Sequence, residues 1–125
     1  MRGMPVRGVH HVSINVDDVD AAMTFYVDVL GLVERTDRPD FSFAGAWLDA
    51  GSQQVHLIHG EPPGDRGQHF AFDVADLDAF VAELRGRGLE VTTPKVVGRG
   101  KQSFLHDPAG NRVELNQTPA AVQRA

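Results

Sequence analysis

The sequence predicts an α+β domain made of two tandem βαβββ modules, and three observations carry that prediction. The chain repeats itself at an offset of 58 residues: HVSINVDDVDAA (11–22) falls on HFAFDVADLDAF (69–80), and DAGSQQVHL (49–57) falls on DPAGNRVEL (107–115). Each copy opens with strict apolar–polar alternation, the mark of a half-buried strand. Each strand is followed by an apolar stripe at helical spacing, with a start signal before it and a stop signal after it.

Taken in order, Val12, Ile14 and Val16 alternate with His11, Ser13 and Asn15. In the repeat, Phe70, Phe72 and Val74 alternate with His69, Ala71 and Asp73. Asp18 and Asp76 stand where a carboxylate can accept bonds from the free amides of a first helical turn. Ala22, Phe25, Tyr26, Val29 and Leu30 form one stripe, and Leu77, Phe80, Val81 and Leu84 the other. Gly31 and Gly88 sit where a left-handed residue would end each helix. Three extended pieces then complete each half, near 33–36, 41–49 and 54–59 in the first and near 90–94, 101–107 and 112–117 in the second. The last two are joined by the turn Asp107-Pro108-Ala109-Gly110-Asn111. A single domain of 1–125 is expected, with module 1 over 8–59, a polar linker GEPPGDRG at 60–67, module 2 over 68–117 and a tail at 118–125.

Composition narrows the function. A length of 125 residues suits one compact domain. Net charge is −5 and no basic run occurs, so nucleic acid is not an expected partner. No apolar run approaches the ~20 residues of a spanning helix, and the opening MRGMPVRG lacks a secretory signal's apolar stretch, so a cytoplasmic protein off the membrane is expected. There is no cysteine, which leaves histidine and carboxylate as the only strong metal donors.

Alternation decides which residues share a face. In the closing strands Val55 and Leu57 oppose His56, and Val113 and Leu115 oppose Glu114. His11, His56, His69 and Glu114 therefore all lie on the polar face of their strands. A lone histidine on a strand is most often an ordinary surface residue. Four donors at the four equivalent corners of a repeat are much harder to reach by chance. Two modules related by a pseudo-twofold would bring those faces together around a cleft. Three imidazoles and a carboxylate there would suit one divalent ion such as Zn, Ni, Fe, Co or Mn.

The segments HHVSINVDDVDAAMTFYVDVLGL (10–32), HFAFDVADLDA (69–79) and DPAGNRVEL (107–115) also resemble the vicinal oxygen chelate superfamily, over about residues 8 to 117. That group includes glyoxalase I, methylmalonyl-CoA epimerase, fosfomycin-resistance thiol transferases, extradiol dioxygenases and bleomycin-binding proteins. The resemblance implies a curved, barrel-like mixed sheet around a metal cleft, a homodimer, and a small oxygenated substrate chelated to the ion. It implies His11, His69 and Glu114 as shared ligands, with Glu114 as the candidate catalytic base. His56 falls where glyoxalase I has a glutamate and the epimerases a glutamate or glutamine, so two-carboxylate glyoxalase I chemistry is not the direct expectation. Isomerase, lyase or addition chemistry is expected. The alternatives are an Fe(II) extradiol-type dioxygenase and a metal-free protein that binds a drug or metabolite, as bleomycin-resistance proteins do.

Other residues are weaker candidates. Arg99, Lys101 and Gln102 precede a strand that should line the cleft, and of these Arg99 and Gln102 are retained as substrate contacts beside Trp47 and Phe104. Gly98-Arg99-Gly100-Lys101 lacks the spacing of a phosphate loop. Phe41 and Phe43 read as core residues, His10 as a rim residue, His59 as facing away from His56, and His106 as a brace for the Asp107-Pro108 turn.

Overall fold

The protein is described by a computed structural model covering residue 3 and residues 5–119, so the tail expected at 118–125 falls almost wholly outside the described residues. The chain divides into two compact units, Met1–Pro62 and Pro63–Ala125. In the first, β1 (His11–Val16) leads through α1 (Val19–Met23) to β2 (Val33–Glu34), β3 (Gly45–Ala50) and β4 (Gln53–His59). In the second, β5 (Phe70–Asp73) leads through α2 (Leu77–Gly86) to β6 (Lys95–Val97), β7 (Gly100–His106) and β8 (Arg112–Gln117). Each unit is βαβββ, as the repeat predicts, and each forms an open four-stranded mixed sheet. The orders are β1-β4-β3-β2 and β5-β8-β7-β6. In both, the first strand runs parallel to the last, while the other neighbours are antiparallel. A parallel partner cannot be reached by a hairpin, which is why a helix and two strands intervene.

The apolar face of each sheet is buried with the helix of its own unit. Val16, Ala22, Phe25, Tyr26, Leu48, Val55 and Leu57 are buried in the first. Leu77, Val81, Leu84, Leu105, Val113 and Leu115 are buried in the second. Each buried Val, Leu or Phe side chain among them contributes about 1.5–3 kcal/mol of transfer free energy. Asp18 and Asp76 cap the helices, accepting from the amides of Ala21 at 3.0 Å and Ala79 at 3.1 Å. Gly31 and Gly88 follow with φ of 86° and 89°, the left-handed conformation expected of them.

The two copies do not keep one offset throughout. Thirteen positions separate cap Asp18 from Gly31 and twelve separate Asp76 from Gly88. The first helix takes up its extra residue as a π turn, Thr24–Val29, with Leu30 donating to the Phe25 carbonyl five residues back. The strand pairs show where the offset recovers. Leu48 opposite Val55 corresponds to Leu105 opposite Val113, an offset of 57 on β3 and β7 against 58 on β4 and β8. The turn between β7 and β8 is therefore one residue longer than that between β3 and β4.

Two local expectations change. No strand forms at 90–94; the second strand of the second unit is Lys95–Val97 instead. The Arg85 guanidinium donates to the Val91 carbonyl and the Thr93 hydroxyl, and Pro94 has no N–H to give a ladder. Only Thr92 pairs with Phe104, partly through its hydroxyl. The brace of the 107–111 turn is Asp107, which accepts from the amides of Ala109 and Asn111 and from the Asn111 side chain. His106 instead turns to Asp65 in the linker, at 2.8 Å.

Asp65 gathers His106, Arg112 and the Gly67 amide, and those three, in that order, hold its carboxyl well below the usual carboxylate range. A group depressed on folding lends stability that is complete above its unfolded value and is lost as pH falls toward the folded one. Asp65→Asn is therefore expected to flatten the acid limb of the stability profile below about pH 4, measured by urea titration across pH; an unchanged limb would contradict the assignment. Ser103, on the buried face of β7, has a hydroxyl with no hydrogen-bond partner among the described residues. Ser103→Ala is expected to be neutral or stabilising by up to about 1 kcal/mol, and a measured loss beyond 1 kcal/mol would mean that the hydroxyl is satisfied.

Candidate metal centre

The parallel pairing of first and last strands fixes the candidate ligands in each unit. His11 is in register with Gln54 and Ser13 with His56 on β1 and β4, so His11 and His56 are diagonal neighbours on one face. Their rings stack at 4.0 Å between centroids, 13° from parallel. Trp47, directly opposite His56 on β3, covers the other face of that ring at 4.4 Å and 11°. His56 is thus sandwiched and only 8% exposed. Burial, followed by the charges of His11, His10, Arg35 and Arg38, pushes its imidazole below the ordinary histidine range. That favours the neutral ring, the form that binds a metal. The Gln54 side-chain oxygen lies 2.8 Å from His56 Nε2. With that oxygen accepting from Nε2–H, the neutral ring keeps its lone pair on Nδ1. His10 Nδ1 lies 2.9 Å from His11 Nδ1.

In the second unit Ala71 is in register with Glu114, the counterpart of Ser13 with His56. His69 Nε2 meets Glu114 Oε1 at 3.0 Å. The outer atoms of both are fixed. His69 Nδ1 donates to the Gly67 carbonyl at 2.7 Å, which requires the proton on Nδ1 and aims Nε2 at the carboxylate. Asn116 Nδ2 donates to Glu114 Oε2 at 2.9 Å. A facing imidazole nitrogen and carboxylate oxygen are two atoms from which a divalent cation could draw ligands. Phe104, opposite Glu114 on β7, meets the His69 ring edge-on at 5.4 Å.

Each unit therefore brings together one pair of the expected ligands and one of the expected aromatic neighbours. Within either unit, among the described residues, three histidine or acidic side chains do not converge. The donor chemistry fits a borderline divalent ion: imidazole nitrogens, one carboxylate, and outer atoms braced by hydrogen bonds. Gln102 pairs in register with Asn116 and so shares the Glu114 face, while Arg99 stands in the exposed turn between β6 and β7. Gln54 and Asn116 were not singled out from sequence. Both lie two residues from a ligand on the same strand, so the period of two that selected His56 and Glu114 also points to them. Phe41 and Phe43 are not core residues; they are 40% and 42% exposed.

A family model for the Glyoxalase/Bleomycin resistance protein/Dioxygenase superfamily matches residues 8–115. The chain belongs to this superfamily. It is 31% identical over 122 residues to a probable lactoylglutathione lyase of Synechocystis sp., covering 86% of this chain and 93% of that one. Among solved structures, TnmS3, an antibiotic-binding protein from Streptomyces sp., superposes with a TM-score of 0.80 at 28% identity, over 94% of this chain and all of the other. A glyoxalase/bleomycin resistance protein from Streptomyces sp. superposes with a TM-score of 0.71 at 30% identity, over 88% of this chain and all of the other. No helix among the described residues of this member of the superfamily is long and apolar enough to cross a membrane.

Outer hydrogen bonds that aim a ligand typically matter 10–100-fold for metal affinity. Asn116→Leu keeps the size of the side chain and removes the bond to Glu114 Oε2. It is expected to weaken divalent-metal binding roughly 10-fold or more by calorimetric titration; wild-type affinity would show that Glu114 needs no such support.

Proposed function

We propose that this chain is a divalent-metal-dependent enzyme of the glyoxalase superfamily, acting on a small oxygenated substrate whose oxygens chelate the ion. His69, Glu114, His11 and His56 are the proposed ligands. The observation that carries this reading is the His69–Glu114 pair, facing at 3.0 Å with each outer atom pinned, at positions the repeat matches with His11 and His56. The resemblance to a lactoylglutathione lyase supports chemistry of the lyase or isomerase type.

When bound, a divalent ion supplies Lewis acidity toward a substrate oxygen that gains negative charge as the reaction proceeds. The chain's own residues do the rest. Glu114 is the only carboxylate among the four, and it is the group placed to take a proton from carbon alpha to a carbonyl and to return it. Asn116 keeps Oε2 oriented while that proton is held. His69, fixed by the Gly67 carbonyl, cannot swing away. Trp47 covers His56, which limits water at that ring, and Phe104 meets the His69 ring edge-on. The Trp47–His56–His11 stack gives His56 the role of tuning the site, because a buried neutral ring adds a donor and no charge.

The antibiotic-binding relative supports a second reading, ligand capture without turnover, and the same experiment separates the two. A bound ion stabilises the fold by mass action, about 2.7 kcal/mol at a free concentration 100-fold above Kd. Chelator is expected to lower the melting temperature and Zn, Ni, Co, Mn or Fe(II) to restore it. Trp47, the single tryptophan, will report the same event by fluorescence. His69→Ala is expected to abolish the restoration, and His56→Ala to weaken it less. A melting curve indifferent to chelator and metal would remove the enzyme reading and favour capture. Iron as the native metal with oxygen uptake on catechols would instead assign the dioxygenase branch.

A further inference from the structure

The loop between β2 and β3 carries an exposed aromatic surface that the metal reading does not use. Phe41 and Phe43 stack at 5.1 Å between centroids and 12° from parallel, and both are exposed. Adjacent exposed phenylalanine rings add little to folding stability, and contiguous exposed apolar surface marks a binding site. The Arg38 guanidinium lies over both rings, 4.9 and 5.5 Å from their centroids. One of its nitrogens donates to the Phe43 carbonyl at 2.9 Å, which fixes the plane of the group. Arg38 makes no ion pair among the described residues. Its neighbour Arg35 differs, being committed to Asp37 and Asp49 at 2.7 and 2.8 Å. Arg38 thus keeps a full positive charge on an aromatic support. Gly45, which opens β3, admits this arrangement: a side chain there would collide with the Leu57 carbonyl and crowd Arg38. The surface is continuous with the candidate metal site, since Phe41 meets Trp47 at 6.1 Å and Trp47 stacks on His56.

We propose that Arg38, Phe41 and Phe43, backed by Trp47, form a recognition platform for a flat aromatic acid, the ring lying against the phenylalanines and the carboxylate on Arg38. A guanidinium held in a fixed plane suits a carboxylate, which it can meet with two parallel hydrogen bonds. Exposed π faces suit a planar ring over a saturated one, because aromatic pairs gain beyond the area they bury. As the substrate-side wall of the site, the platform rests on the metal reading above and makes the substrate class aromatic and anionic. As a binding surface it stands without a metal.

The test is titration of the full chain with 2-naphthoate, 2-naphthol and cyclohexanecarboxylate, by calorimetry and Trp47 fluorescence, first with chelator and then with metal restored. Saturable binding of 2-naphthoate is expected in both conditions, with the uncharged probe about tenfold weaker or more, the size of one lost charge-assisted bond, and the saturated probe several-fold weaker, the size of a lost aromatic pair. Arg38→Gln is expected to weaken 2-naphthoate about tenfold and to leave 2-naphthol unchanged. Phe41→Leu/Phe43→Leu keeps the apolar area, removes both rings, and is expected to weaken both aromatic probes. Melting curves of the two variants confirm their folding. Absence of saturable binding, equal binding of all three probes, or wild-type affinity in either variant would overturn the proposal. So would a leucine variant altered only in its sedimentation as monomer or dimer, which would make the patch a contact between copies. Binding of 2-naphthoate by a chain that ignores metal would keep the platform and remove the metal reading; the reverse result would do the opposite.

Discussion

The parallel pairing of the first and last strands of each unit is the constraint on which the rest depends. It sets His11 diagonal to His56 on one sheet and places Glu114 within reach of His69 on the other. A slip of one residue would carry each ligand to the helix-facing side and bury it among leucines. The register is held from both sides. Val16, Val55 and Leu57 in one unit, and Val113 and Leu115 in the other, are almost completely removed from water, and none could be turned outward without losing that burial. The candidate ligand positions are thus set by the core on the opposite face of the strand.

Given that register, the differences between the two copies become informative. One pair is two imidazoles, the other an imidazole and a carboxylate, and their supports differ accordingly. His56 is held by ring stacking and by Gln54, with its imidazole biased to the neutral form by burial. Glu114 accepts a hydrogen bond from the Asn116 amide and faces His69 Nε2 at 3.0 Å. Packing suits the neutral donor and hydrogen bonding suits the anion. The duplication supplied equivalent positions, and each copy then acquired the environment its own residue requires. The π turn in the first helix belongs with this pattern, since it absorbs a single extra residue without moving the strands that carry the ligands.

Most of the fold was legible because its signals are periodic. Alternation found β1, β4, β5 and β8, the aspartates and glycines found the helix ends, and the repeat joined them into modules. The strand expected at 90–94 failed because the side chain of Arg85, at the end of the preceding helix, claims the Val91 carbonyl. The exposed state of Phe41 and Phe43 was hidden for a related reason. Composition reads a phenylalanine as core, whereas Arg38 stacks on both rings from the solvent side. At the candidate site, the residue types were readable and their pairing within each unit followed from strand pairing. The bracing by Gln54, Asn116 and the Gly67 carbonyl needed coordinates, although the period of two had already placed Gln54 and Asn116 on the ligand face.

The central proposal is that His11, His56, His69 and Glu114 are ligands of a divalent ion, and metal stoichiometry tests it most directly. The measurement is a divalent-metal titration, with elemental analysis, of the wild-type chain and of two double variants, His11→Ala/His56→Ala and His69→Ala/Glu114→Ala. The account predicts one ion per wild-type chain and loss of that affinity in both double variants, with the fold of each intact by melting. Retention of wild-type affinity by either double variant would show that one pair alone holds the metal, and would contradict it.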